Sequence, residues 1–254
     1  GSKHLHDYII SDKTVIPQHH EQYYEEEVVH LPGCYLCSDN TNAIADLKNT
    51  EGEEGCPLET ADFVFCSFNN TWKITSKEFD IWMRLLQRNP GSILWLRSEI
   101  NIVIENLQFQ AKARNIDPDR LIFAKKVDMA AHLARHQKAD LFLDTFAYTA
   151  HATALDALWA GLPVLTMQGN SFPSRVGASV LTAAGIPELI TTSEHEYESK
   201  AQWLVDHPDE LRRLKHRLIK NRLECSLFDT EQTTRHLEKI YRECWQKSTG
   251  FNSQ

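Results

Sequence analysis

Between Ala61 and Thr191 the sequence alternates short, unbroken apolar runs with amphipathic stretches of helical length, and this alternation restricts the fold more than any other feature. The runs are FVFCS (63–67), ILWLR (93–97), LIFA (121–124), DLFLD (140–144), PVLT (163–166) and ELIT (188–191). They are rich in Leu, Ile, Val and Phe and mostly continuous, so each needs cover on both faces, as strands of a parallel sheet receive. Helix signals fill the gaps. Thr75 with Glu78 forms a capping box that opens 76–88, and Pro90-Gly91 closes it. A helix over 101–115 precedes the Asp117-Pro118 turn, and Asp128 caps 129–137. Gly161 and Pro163 stop 152–160, and Gly185 and Pro187 stop 174–184. The pattern predicts an α/β, Rossmann-like doubly wound parallel sheet. From Glu194 onward the chain reads as a helical tail. In its last helix Leu237, Ile240, Tyr241, Cys244 and Trp245 form one apolar stripe, with Asp229 or Thr230 as the cap.

Residues 1–60 read differently. DYIISDKTVI (7–16) holds one strand, but HHEQYYEEEVV and SDNTNAIADLKNTEGEEG are polar and poor in core residues, which suits the end of a lobe plus a linker. The net charge is −8 with no basic stripe, which argues against nucleic acid and leaves room for a small anionic ligand held by local donors. No apolar run approaches a membrane span, Gly1-Ser2 reads as a cloning remnant, and no signal peptide follows, so a cytoplasmic protein is expected. The six cysteines form no even framework. Cys66 and Cys244 read as buried free thiols. Cys34 and Cys37 make a lone C-x-x-C that Cys56 and nearby histidines can extend toward zinc, but with no second pair chance spacing is the better reading.

In open parallel sheets ligands bind beyond the carboxyl ends of the strands, where helix N-termini present N–H groups. Four stretches lie there: SFNNTWK (67–73), AKKVDMAAHLAR (124–135), TFAYTAHATALD (145–156) and MQGNSFPSR (167–175). His151 and Thr153 at a helix start suit a phosphate, although Thr149 or His151 acting as a plain cap explains the same residues. Asp156 suits either the helix dipole or ribose hydroxyls. Lys73, just before a helix start that favours acids, has no dipole explanation. His132 and Arg135 share a helix face, which is equally what a solvated face looks like, and Lys125-Lys126 reads as surface charge. No G-x-G-x-x-G, P-loop, G-x-S-x-G or H-E-x-x-H motif is present.

FCSFNNTWKITSKEFDIWMRLLQRNPGSILWL, LARHQKADLFLDTFAYTAHATALDALWAGLPVLT, SFPSRVGASVLTAAGIPELI and LFDTEQTTRHLEKIYRECW closely resemble the catalytic region of the O-GlcNAc transferase and SPINDLY family, bacterial members above all. DYIISDKTVIP resembles the segment that ends the family's first catalytic lobe. The resemblance covers about residues 7–246. It implies the second lobe of a GT-B glycosyltransferase: 1–60 as the end of the first lobe plus linker, 61–246 as a nucleotide-sugar-binding lobe, and 247–254 as a tail. In the family a tetratricopeptide superhelix precedes the lobes. The implied reaction transfers GlcNAc from UDP-GlcNAc to a Ser or Thr hydroxyl of a protein acceptor, with inversion and without a metal or other cofactor.

Position by position, the resemblance assigns Lys73 to the diphosphate and the departing UDP, as the catalytic residue, and Asn70 to the polar position shortly before it. It gives Val127 the backbone contact to uracil and sets His132 and Arg135 beside the nucleotide. His151 and Thr153 face the diphosphate, with Ala152 between them where relatives often carry Thr, and Asp156 takes the ribose. Met129 stands where animal relatives carry Lys. SPINDLY-type fucosyl relatives lack the His and Asp of HATALD, which favours UDP-GlcNAc over GDP-fucose. Two other readings compete. A GT-B-type nucleotide-sugar epimerase needs paired carboxylates in the cleft, and a degenerate lobe kept as a protein-interaction module fits poorly with Lys73, His151 and Asp156 all in place. The first-lobe groups would lie before residue 7. The 254 residues alone are therefore expected to bind UDP weakly and to transfer no sugar, and a transfer assay with labelled UDP-GlcNAc checks this, since appreciable transfer refutes it.

Overall fold

The computed structural model describes residues 2, 4–46, 58 and 60–249. Six parallel strands form the main sheet: β3 (Phe63–Ser67), β4 (Ser92–Arg97), β5 (Leu121–Ala124), β6 (Leu141–Leu143), β7 (Val164–Met167) and β8 (Ile190–Thr191). The order is β5-β4-β3-β6-β7-β8, so the winding reverses between β3 and β6 and opens a crevice at their carboxyl ends. Phe65 sits opposite Leu94 on one side and Leu141 on the other, and Leu143 opposite Leu165. All five are fully buried, which is why these runs are continuously apolar rather than alternating.

The crossovers are α1 (Ser76–Arg88), α2 (Asn101–Lys112), α3 (Met129–His136), α4 (Ala152–Trp159) and α5 (Val176–Ala183). The Thr75–Glu78 capping box opens α1, whose inner face buries Phe79, Ile81, Trp82, Met83, Leu85 and Leu86. Asp128 caps α3 by accepting from the Ala131 N–H at 2.9 Å. Gly161 and Gly185, at φ +86° and +76°, end α4 and α5 in the left-handed conformation that glycine adopts without strain. α2 stops at Lys112 rather than 115, because Asn115 takes φ 60° and the Ile116 N–H turns back to the Ala111 carbonyl. Then follow α6 (Glu194–Asp206), α7 (Pro208–Asn221) and α8 (Thr230–Thr249). Among the described residues no helix is long and apolar enough to cross a membrane.

The first 46 residues hold more structure than their polarity suggests. β1 (Tyr8–Ser11) is the expected strand, and it pairs in parallel with β2 (Glu27–His30), which lies in the stretch read as core-poor. β2 was illegible because its side chains are exposed or half-buried and only its backbone pairing defines it. Asp12 clamps this segment to α5: one carboxylate oxygen accepts from the Thr14 and Val15 N–H groups, the other from Tyr35 N–H and Ser179 Oγ at 2.7 Å. Cys34 is buried and Cys37 exposed, while Cys56 lies outside the described residues.

One further expectation needs correction. Cys66 is buried as expected, but Cys244 is only half-buried. The α8 stripe is likewise covered only in part: Ile240 is buried, whereas Tyr241 and Trp245 are exposed. The reason is that α8 rests on the lobe through its first half and meets β1 and β2 through polar contacts, Lys247 to Glu27 at 2.6 Å and Tyr8 to Ser248. Asp229 caps α8, accepting from the Gln232 N–H.

One close approach fixes how α5 meets the sheet. A Cβ on Gly177 would lie 2.6 Å from Thr166 Oγ1 and 2.8 Å from Asp144 Oδ2. Gly177→Ala is therefore expected to destabilise the protein by about 2–3 kcal/mol through overpacking and loss of a buried hydrogen bond, read as a lowered midpoint in urea unfolding.

Candidate nucleotide site at the sheet's switch point

Asp144, the last residue of its apolar run, is fully buried at the carboxyl end of β6. Its Oδ1 accepts from the Thr145 N–H at 2.8 Å, the Ala150 N–H at 2.6 Å and Asn69 Nδ2 at 3.0 Å. Its Oδ2 accepts from Thr166 Oγ1 at 2.7 Å, and its carbonyl accepts from the buried Tyr197 hydroxyl. Burial outweighs the four donors that oppose it and leaves this carboxyl at about 6, so it is mostly ionised at neutral pH. The loop 145–150 thus winds around one carboxylate before α4 begins. Asn69, also buried, extends the network: its amide also donates to Thr145 Oγ1, and its Oδ1 accepts from Thr153 Oγ1 at 2.6 Å.

Beyond this hub, two groups from different loops meet. Lys73 follows β3 in a 3₁₀ turn (Thr71–Lys73) capped by Asn70, whose side chain accepts from Trp72 N–H. Its ammonium donates to the Thr149 carbonyl at 3.1 Å and sits 4.1 Å from the Tyr148 ring centre. Burial lowers its pKa, and the Asp144 carboxylate opposes that. His151 stacks on the same Tyr148 ring at 4.5 Å, with Nε2 3.3 Å from the Pro173 carbonyl. Burial, with a smaller part from Lys73, lowers its pKa, so the imidazole is neutral at pH 7. His151 does not cap α4 with its side chain, and the Thr149 hydroxyl donates to Pro173 and accepts from Gly177 N–H instead. Plain capping therefore does not explain either residue. The Ala152 and Thr153 N–H groups have no partner within α4, whose internal bonds begin with Ala154 and Leu155.

On the other side of α4 lies a cleft of about 210 Å³ lined by Arg97, Lys125, Lys126, Val127, Met129, His132, Arg135, Thr153 and Asp156. Arg135 is drawn into place by donating to the Lys125 carbonyl at 2.9 Å. Burial pushes Asp156 up to about 6, with Arg97 opposing, and lowers His132 to about 4, helped by Arg135 and Arg97. The two side chains are 3.9 Å apart, too far for a hydrogen bond. At pH 7 the pair is an ionised carboxylate beside a neutral imidazole. A negative, acceptor-only group thus sits inside a cationic rim, which suits a ligand carrying both hydroxyls and phosphates.

The structure brings Val127, His132, Arg135, Thr153 and Asp156 into one cleft and sets Lys73 and His151 at the other side of the α4 N-terminus. Ala152 is exposed at that N-terminus. Asn70 does not join them: it faces a neighbouring cleft with Arg97 and Lys126 and serves the turn that carries Lys73. The Thr153 hydroxyl proton is committed to Asn69, so its N–H is the donor left for a ligand. Sequence reasoning missed Asp144, Tyr148 and Arg97. It also took Lys125 and Lys126 for plain surface charge. An ionisable residue ending a continuous apolar strand at the switch point was the available signal for Asp144. Among the described residues no cluster of His, Cys, Asp and Glu is arranged to hold a metal ion.

Residues 53–237 match the sequence model of glycosyl transferase family 41. The chain belongs to this family. Its family 41 relatives include the probable UDP-N-acetylglucosamine–peptide N-acetylglucosaminyltransferase SEC of Arabidopsis thaliana, 33% identical over 245 residues that cover 94% of this chain and 25% of that protein. The UDP-N-acetylglucosamine–peptide N-acetylglucosaminyltransferase of Caenorhabditis elegans is 35% identical over 184 residues, covering 72% of this chain and 16% of the relative. The chain thus spans about a quarter or less of these curated relatives. Among solved structures, an O-GlcNAc transferase of Thermobaculum terrenum superimposes with a TM-score of 0.79 at 25% identity, covering 95% of this chain and 45% of that one. Anabaena HepE, solved with UDP and glucose, shares the fold at a TM-score of 0.66 and 13% identity, over 93% of this chain and 63% of its own. The sheet is accordingly of the GT-B glycosyltransferase type, as the sequence resemblance implied.

The electrostatics of this family 41 cleft carry a stability cost. Asp156 has its folded pKa raised above the unfolded value, so its contribution favours folding at pH 4 and is lost as pH rises through 6. Asp156→Asn removes that loss. The variant is expected to be more stable than the parent by about 2 kcal/mol at pH 7, allowing for the carboxylate's partial exposure, and equal to it near pH 4. Urea unfolding of both proteins across that range checks it.

Proposed function

We propose that this chain is the nucleotide-sugar-binding lobe of an inverting, metal-independent protein O-GlcNAc transferase, with 61–246 as the lobe, 1–60 as the end of the first lobe plus linker and 247–254 as a tail. The observation that carries the reading is the convergence at α4: Lys73 and His151, from loops after different strands, flank its N-terminus, while Asp156 faces the cleft one turn further in.

In this reading UDP-GlcNAc lies across the α4 N-terminus. The uracil meets the Val127 backbone between His132 and Arg135, and the ribose hydroxyls donate to the ionised Asp156. The diphosphate meets the Ala152 and Thr153 N–H groups, His151 and Lys73. An acceptor Ser or Thr hydroxyl then attacks the anomeric carbon from the face opposite the phosphate, with inversion. The bond from that carbon to the β-phosphate oxygen breaks, its electron pair stays on UDP, and the acceptor hydroxyl's proton is released to water. Lys73 and the helix N–H groups are fixed where this charge develops, so they stabilise the transition state without reorganising. A cation and a helix dipole thereby meet the electrostatic demand that a divalent metal meets in other phosphate chemistry. The epimerase alternative gains no support, because among the described residues lining the cleft Asp156 is the one carboxylate, with no acid/base pair.

Titration of the 254-residue protein with UDP, followed by amide NMR, tests the proposal. Saturable shifts at 145–156 are expected, unchanged by EDTA, with Lys73→Ala and His151→Ala each weakening binding about tenfold, or about 1.4 kcal/mol. Absence of shifts at millimolar UDP, or indifference to both substitutions, overturns the reading.

A further inference from the structure

Tyr148 touches both groups to which the phosphate is assigned. Lys73 Nζ lies 4.1 Å from its ring centre, and the His151 ring stacks on it at 4.5 Å with 27° between the planes. The exposed Trp72 meets the same ring edge-on at 5.4 Å. The backbone on either side of Tyr148 is fixed. Its carbonyl accepts from Thr145 Oγ1 at 2.7 Å, and the next residue is tied through its N–H and hydroxyl to the Pro173 carbonyl. The ring is therefore delivered by a loop wound on Asp144.

We propose that Tyr148 is a positioning residue for the donor's diphosphate, its ring holding the Lys73 ammonium and the His151 imidazole together while leaving the Lys73 donors not spent on Thr149 for the ligand. This rests on the donor-binding reading above. The chemistry of the contact is what makes the ring suitable. An ammonium has three donors, and one of Lys73's is spent on the Thr149 carbonyl. A carboxylate in place of the ring would take up more of them and cancel the charge. A π-face attracts the cation without accepting its hydrogen bonds in full, so the remaining donors and the net charge stay available to a phosphate. The stack on His151 likewise occupies neither ring nitrogen. Each partner has been brought in from a different loop, and among the described residues no other aromatic ring lies as close to the ammonium: Trp72 is 5.9 Å away.

The test compares the 254-residue protein with Tyr148→Phe, Tyr148→Leu and Tyr148→Met, measuring UDP and uridine affinity and the His151 ring proton shifts by NMR. Tyr148→Phe is expected to keep UDP affinity within about twofold and to keep the ring-current shift on His151. Tyr148→Leu and Tyr148→Met are expected to lose that shift and to weaken UDP about tenfold, with uridine affinity unchanged because the Asp156 side of the cleft is untouched. Thermal unfolding identifies any variant that fails to fold, and the unbranched Met variant serves if Leu does. If the parent binds UDP and the Leu or Met variant binds it equally well, the positioning role is overturned while the donor reading stands. If the parent does not bind UDP at all, the donor reading falls and takes this inference with it.

Discussion

A single buried carboxylate organises the carboxyl end of this sheet. Asp144 gathers donors from β7 through Thr166, from the loop after β3 through Asn69, and from its own loop through the Thr145 and Ala150 N–H groups. Four donors and no acceptor surround it, an arrangement that favours the ionised form although the site is fully buried. An unpaired charge there would cost several kcal/mol, so the loops that supply the donors have little freedom to drift apart. Tyr197 adds α6 to the same point through the Asp144 carbonyl. The site's geometry is therefore inherited from a group that never faces the cleft.

The exposed side of the site is arranged on the opposite principle. Lys73, His151, His132 and Asp156 are partly buried with no oppositely charged group in hydrogen-bond reach among the described residues, and burial shifts each toward its neutral form. Groups left in that condition gain more from a ligand than groups already paired on the surface, because the ligand supplies the missing partner. Two carboxylates twelve residues apart thus play different parts. Asp144 is saturated with donors and structural, while Asp156 accepts none from the chain in a cleft whose rim is cationic.

Much of this was legible in the sequence, for a physical reason. A strand covered on both faces must be apolar throughout, so FVFCS and LIFA declare their limits to the residue, and the Thr75–Glu78 box and Gly161 mark helix ends by local chemistry. His132, Arg135, Thr153 and Asp156 are assigned to one nucleotide site by the family resemblance, because their residue types alone fit a solvated face, a cap or the helix dipole equally well. What remained hidden depends on contacts between distant segments. β2 exists by pairing with β1 rather than by pattern, and the sequence gives no sign that Asn69 reaches Thr153 or that Tyr148 lies between Lys73 and His151. A hydrophobic period shows which residues share a face and not whether anything covers it, as the exposed Tyr241 and Trp245 of the α8 stripe illustrate.

α5 joins the site to the first 46 residues. At its start Gly177 donates its N–H to Thr149 and lies against Thr166 and Asp144, and two residues on, Ser179 donates to Asp12. Arg175, just before the helix, donates to the Thr14 carbonyl and to the Gly169 carbonyl in the loop after β7. One turn of helix thus touches both buried aspartates, one that folds the loop before α4 and one that pins the segment preceding the sheet. Close-packed interiors leave little slack, so the same helix turn restrains the preceding segment through Asp12 and the loop residue Thr149, whose carbonyl accepts from the Lys73 ammonium. The position of the cation at the α4 N-terminus is in this way set jointly by the sheet and by the segment that precedes it.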